Sequence, residues 1–123
     1  MLIDCVGGAN MLFRKIFLLI LSIVLSGLIF SNNVYAETIG SGKCGDNLTW
    51  TQTSEGELII SGSGDMYDYD EDTAPWNKSL VVKLTINKGV TSVGRYAFDS
   101  CYGMKNLSLP EGLKKIGYRA FYN

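Results

Sequence analysis

Residues Val81–Phe98 read VVKLTINKGVTSVGRYAF, and residues Met104–Phe121 read MKNLSLPEGLKKIGYRAF. Laid over each other at an offset of 23 residues, Leu84 falls on Leu107, Ile86 on Leu109 and Gly89 on Gly112. Val90 falls on Leu113, Val93 on Ile116, Gly94 on Gly117, and Ala97-Phe98 on Ala120-Phe121. A register kept over eighteen positions is an internal repeat.

A unit of 20–29 residues with an L-x-L strand core marks a leucine-rich repeat, in which each unit stacks on its neighbours because none can bury its apolar face alone. KLTI and NLSL are the two strands, and Gly89 and Gly112 turn the chain. A compact return segment then ends in Ala-Phe. Stacking places Leu84, Ile86, Val93, Ala97 and Phe98 in one core ladder with Leu107, Leu109, Ile116, Ala120 and Phe121. Residues of opposite phase, Lys83, Thr85, Asn87, Lys105 or Asn106, and Ser108, fall on the exposed strand face, where repeat proteins usually bind. Val81–Gly103 is one full unit and 104–123 an incomplete second.

Ahead of the repeats, LTWTQT (Leu48–Thr53) and ELIISGSG (Glu57–Gly64) alternate around a Gly-containing break. They read as a β-hairpin with Trp50, Leu58 and Ile60 on its apolar side. ETIGSGKCGDN, from Glu37 to Asn47, reads as turn-rich. With Trp76 directly before the first repeat, 37–76 is expected to be a cap that plugs the open end of the solenoid at 77–123.

The cap ends in GDMYDYDEDTAPW, Gly64–Trp76, with five acids. Asp68, Asp70 and Asp72 alternate as in the front half of a calcium loop. Such a loop needs Gly at position six and Glu at position twelve. Counted from Asp68, those positions hold Thr73 and Ser79. The three aspartates stay as a weak calcium candidate beside the reading of a solvated joint. Charge is split at this point: nine acids and one base from Glu37 to Trp76, then eight bases and two acids from Asn77 to Asn123.

The chain has no histidine, which excludes Ser-His-Asp, Cys-His and His-ligated zinc chemistry. Its net charge of −1 gives no general pull toward nucleic acid. No enzymatic activity and no cofactor are expected. At the N-terminus, Arg14 and Lys15 precede IFLLILSIVLSGLIF (Ile16–Phe30), and a polar stretch ends at Ala36. These are the parts of a secretory signal peptide over 1–36, cleaved after Ala36, with Met11 as the true start. The membrane enters only through this segment. Export permits a disulfide between Cys44 and Cys101 and equally permits two buried thiols.

GVTSVGRYAFDSC and EGLKKIGYRAF resemble the BspA-like leucine-rich repeat of bacterial surface proteins. Its unit runs roughly L-x-I-P-x-x-V-x-x-I-G-x-x-A-F-x-x-C-x-x-L. Gly94, Ala97, Phe98 and Cys101 fit it, as do Leu107, Leu109, Pro110, Ile116, Gly117, Ala120 and Phe121. Met104 stands where leucine is usual, and Asn87 stands where Pro110 sits one unit later. The segment before the repeats is also similar to the one that often precedes such arrays, through Cys44, Trp50, Gly62, Gly64, Met66, Pro75 and Trp76. The resemblance implies a mainly β fold: a β-hairpin cap followed by a short, truncated leucine-rich repeat solenoid of 23-residue units. It also implies a secreted or surface-displayed interaction module whose partner is an extracellular protein or glycan. The alternatives are an accessory module of an exported enzyme or a non-functional remnant. With an incomplete last unit, Leu107, Leu109, Ile116 and Phe121 are expected to show one side to water, favouring self-association through the open end.

Overall fold

The computed structural model describes Lys15 and residues 35–123. The signal-peptide reading and the Met11 start lie outside the described residues. The strands of the described residues fall in one compact unit, Ala36–Asn123. In chain order they are β1 (Thr38–Gly45), β2 (Leu48–Thr53), β3 (Glu57–Gly62), β4 (Gly64–Asp65), β5 (Lys83–Ile86), β6 (Val90–Val93), β7 (Asn106–Ser108) and β8 (Lys115–Ile116). A 3-10 turn, Lys78–Leu80, precedes β5.

Two sheets form: β1-β2-β3-β5-β7 and β4-β6-β8. The first is antiparallel through β1, β2 and β3, then parallel from β3 to β5 to β7. The second is parallel throughout. Side chains alternate along each strand, so the register stacks like on like. Leu58 pairs with Leu84 and Leu84 with Leu107, while Ile60 pairs with Ile86. Leu58, Ile60, Leu84, Ile86, Val90 and Val93 are buried between the two sheets. Each such side chain contributes about 1.5–3 kcal/mol.

The solenoid therefore begins before the sequence repeat does. β3 and β4 make a first rung, β5 and β6 a second, β7 and β8 a third. Gly64–Trp76 is the return arm of that first rung. Its backbone is bonded to the second through Gly64 N–H to Gly89 O (3.0 Å), Met66 N–H to Ser92 O (3.3 Å) and Tyr69 N–H to Arg95 O (2.9 Å). Trp76 stands where phenylalanine stands in the later rungs. Its ring stacks on Phe98 at 5.1 Å, and Phe98 stacks on Phe121 at 5.4 Å.

The Gly94–Phe98 return segment has a mechanical reason for its letters. A Cβ on Gly94 would lie 1.8 Å from the carbonyl oxygen of Tyr67, and one on Gly117 would lie 2.5 Å from Arg95 N. Only glycine lets adjacent rungs close here. Tyr96 and Arg119, one repeat apart, both take a left-handed φ of 53°. The same unusual turn thus recurs in both rungs.

Two expectations change. The segment read as turn-rich is the eight-residue strand β1, so the cap is a three-stranded meander rather than a hairpin alone. Its glycines serve packing. Cβ atoms on Gly40 and Gly42 would come within 2.9 Å and 3.0 Å of the Trp50 indole, which lies across β1. Second, the core places given to Leu107, Leu109 and Ile116 are only partly realised: the three are 45%, 42% and 52% exposed, in line with the expectation that this unit shows one side to water. They lie on the third rung, whose strands β7 and β8 are edge strands of the two sheets. Phe121 is partly buried and Ala120 is buried.

Candidate interaction surface

The outer face of the five-stranded sheet is continuous from cap to third rung. One row across it runs Ser41–Thr51–Ile59–Thr85–Ser108, each paired with the next. A second runs Lys43–Thr49–Ser61, and a third Glu57–Lys83–Asn106. The strand-face residues expected from the repeat, Lys83, Thr85, Asn87, Asn106 and Ser108, thus lie together. Lys83, Asn87, Asn106 and Ser108 are exposed; Thr85 is half-buried.

Two contacts tie this face across the cap–repeat joint. Lys83 Nζ lies 2.8 Å from Glu57 Oε1, and Asn87 Nδ2 donates to Ser61 Oγ at 2.9 Å. Exposed pairs of this kind add little stability. Their effect is to fix side-chain positions on an otherwise hydroxyl-rich surface.

The acidic stretch does not gather its aspartates. Asp68 Oδ1 accepts the Arg95 backbone N–H at 2.7 Å, Asp70 Oδ1 accepts the Arg95 guanidinium at 2.9 Å, and Asp72 faces Lys78 Nζ at 3.5 Å. The three carboxylates are thus spent on two residues of the repeats, Asp68 and Asp70 on Arg95 and Asp72 on Lys78. Among the described residues, no three acidic or cysteine side chains converge as a metal ion would require. Asp65, in β4, accepts the Thr91 hydroxyl at 2.7 Å. That bond, with Ser92, holds its carboxyl below the usual range.

Cys44 and Cys101 are both free and fully buried. Burial pushes each thiol up to about 11, far from the thiolate a nucleophile needs. Tyr69 is enclosed with no partner for its hydroxyl, and burial raises its pKa as well.

Sequence reasoning missed the polar lock between cap and repeats. Gln52 is buried; its Nε2 donates to Asn77 O, and its Oε1 accepts Asn77 N–H, both at 2.9 Å. The signal was present, since Gln52 shares the inward phase of Leu48 and Trp50. Lys78 reaches from the 3-10 turn to pair with Asp99, whose side chain is 3% exposed. Trp76 Nε1 donates to Ala97 O at 3.0 Å inside the core, and its ring meets Trp50 edge-on at 6.0 Å.

Comparison with known proteins agrees with this geometry. Residues 74–123 match the family model described as "BspA type Leucine rich repeat region (6 copies)". A leucine-rich repeat protein from Eubacterium ventriosum has a similar solved structure, at 30% sequence identity and a TM-score of 0.63 over 67% of this chain. The chain spans 23% of that protein's length. No curated protein gives a significant match. Leucine-rich repeat regions of this type are typically non-enzymatic modules for protein interaction, and proteins that carry them are typically surface or secreted bacterial proteins. With the repeated motif, the parallel rungs and the aromatic ladder all in agreement, the chain belongs to the BspA-like leucine-rich repeat family.

Proposed function

We propose that the protein is exported through residues 1–36 and acts as an adhesion module, docking an extracellular protein on the outer face of its five-stranded sheet. The observation that carries this reading is the unbroken rows Ser41–Thr51–Ile59–Thr85–Ser108 and Glu57–Lys83–Asn106, which join cap and repeats into one surface. The row Ser41–Thr51–Ile59–Thr85–Ser108 is mostly small hydroxyl side chains, with Ile59 half-buried at its centre, and leaves room for a partner's larger anchors. The charges on the face are few, so shape and hydrogen bonding set its selectivity more than long-range steering.

The test uses the exported chain displayed on beads, scored for attachment to cultured cells. Combining Lys83→Glu, Thr85→Arg and Ser108→Arg should lower attachment about tenfold or more, since interface hot spots each carry a large share of binding. The thermal melt of the folded chain should hold nearly constant. Protease treatment of the target cells should remove attachment of the unmodified chain. Undiminished attachment by the triple variant would place binding elsewhere.

A further inference from the structure

The corners where the chain leaves the first sheet differ between successive rungs. Between the first and second rungs the corner is closed: Asn87 N–H donates to Ile60 O and Gly64 N–H to Gly89 O, both at 3.0 Å. Between the second and third, strand pairing stops at Thr85 and Ser108, and backbone bonding resumes only where Lys114 N–H reaches Thr91 O at 2.8 Å. The cause is readable in the repeat. Pro110 occupies the position of Asn87 one unit later and has no N–H to give. Both corners keep their internal bond, Val90 N–H to Asn87 O and Leu113 N–H to Pro110 O, so only the cross-rung bonding differs.

The result is a cavity of about 790 Å³ lined by 85–91 and 108–112. This size lies within the roughly 300–1,000 Å³ usual for ligand sites. Its lining includes Lys88 and Glu111, which hold the same repeat position with opposite charge. Neither makes an ion pair with any described residue. Thr85, at the strand end of the cavity, has a hydroxyl with no hydrogen-bond partner. No aromatic ring lines the space for a sugar to stack on.

We propose that this corner groove binds a short extended peptide segment. The peptide backbone supplies to Ile86 O the N–H that Pro110 lacks and that Asn87 gives to Ile60 O one rung earlier, and Lys88 and Glu111 receive side chains of opposite charge. Main-chain bonds supply affinity in such strand addition, and flanking side chains supply choice. The inference rests on the reading of the protein as an interaction module and names the class of ligand at the edge of its strand face.

The experiment probes an immobilised library of random hexapeptides with the labelled full chain, then measures selected peptides in solution by fluorescence anisotropy. Selected sequences should carry both an acid and a base. Gly112→Trp should weaken binding about tenfold or more, because the added side chain enters the groove. A Cβ there meets nothing within 4 Å, so the fold is spared. Pro110→Asn restores the donor and should likewise weaken binding. The double variant Lys88→Glu, Glu111→Lys should prefer charge-swapped peptides. Absence of any selected peptide, binding indifferent to Gly112→Trp, or capture of oligosaccharides instead would each overturn the proposal. Lys83→Glu should leave peptide binding intact, so failure of the groove and failure of the strand face are told apart.

Discussion

Phe98→Ala is expected to leave the domain largely unfolded at room temperature. Phe98 is fully buried and stacked between Trp76 and Phe121, so its removal opens a cavity at the middle of the aromatic ladder. Truncating a buried phenylalanine costs about 3–5 kcal/mol. Each lost aromatic pair is worth about 0.5–1.5 kcal/mol beyond area burial. Domains of this size often hold only about 5 kcal/mol in total. Urea unfolding followed by the fluorescence of Trp50 and Trp76 should show the folded baseline gone or much shortened. Phe98→Leu, which keeps bulk but not stacking, should fall between. A variant melting like the unmodified chain would mean that the ladder does not hold the rungs together.

The second large effect is expected at Asp99. Its carboxylate and the Lys78 ammonium pair where both are largely shielded from water, with side-chain exposures of 3% and 11%. Asp99→Ala leaves the lysine without its buried partner, a change that typically costs about 3–5 kcal/mol. Asp72, 3.5 Å from the same lysine but 75% exposed, is too well hydrated to replace it. The double variant Lys78→Met, Asp99→Leu should be more stable than either single one, because it removes both desolvated charges together. Chemical denaturation of the three variants checks this order. Equal losses in the single and double variants would show that the pair acts by packing alone.

The repeat made the second and third rungs legible because Leu84/Leu107, Gly94/Gly117 and Phe98/Phe121 keep one offset of 23 residues. The first rung was hidden by its spacing. Leu58 and Ile60 sit 26 residues before their partners Leu84 and Ile86. A turn closed by Thr73 N–H to Asp70 O then pushes out extra residues, so that Trp76 falls only 22 before Phe98. A fixed-offset comparison cannot follow a register that changes within the unit. Asp68, Asp70 and Asp72 alternate as calcium ligands do, yet Asp68 and Asp70 are held by Arg95 of the next rung. β1 was hidden for another reason. Glycine suggests turns in a sequence, and here Gly40 and Gly42 make room for a tryptophan on the neighbouring strand, which single-strand patterning does not carry.

The strand face was legible as a phase, since Thr85 and Ser108 alternate with the core leucines. Its extension onto the cap was not, because the antiparallel-to-parallel change at β3 is a property of pairing rather than of any one segment. The corner groove depends on one missing hydrogen, at Pro110, and is visible only once the neighbouring corner is seen to be closed.

Native-state hydrogen exchange at Gly64, Tyr67 and Tyr69 tests directly whether the acidic stretch is a rung of the solenoid. Gly64 N–H donates to Gly89 O, Tyr67 N–H to Cys44 O and Tyr69 N–H to Arg95 O. These amides should exchange only with global unfolding, at the same free energy as Phe98 N–H of the second rung. Rapid exchange at all three while Phe98 stays protected would return Gly64–Trp76 to the status of a loop and start the solenoid at Lys83.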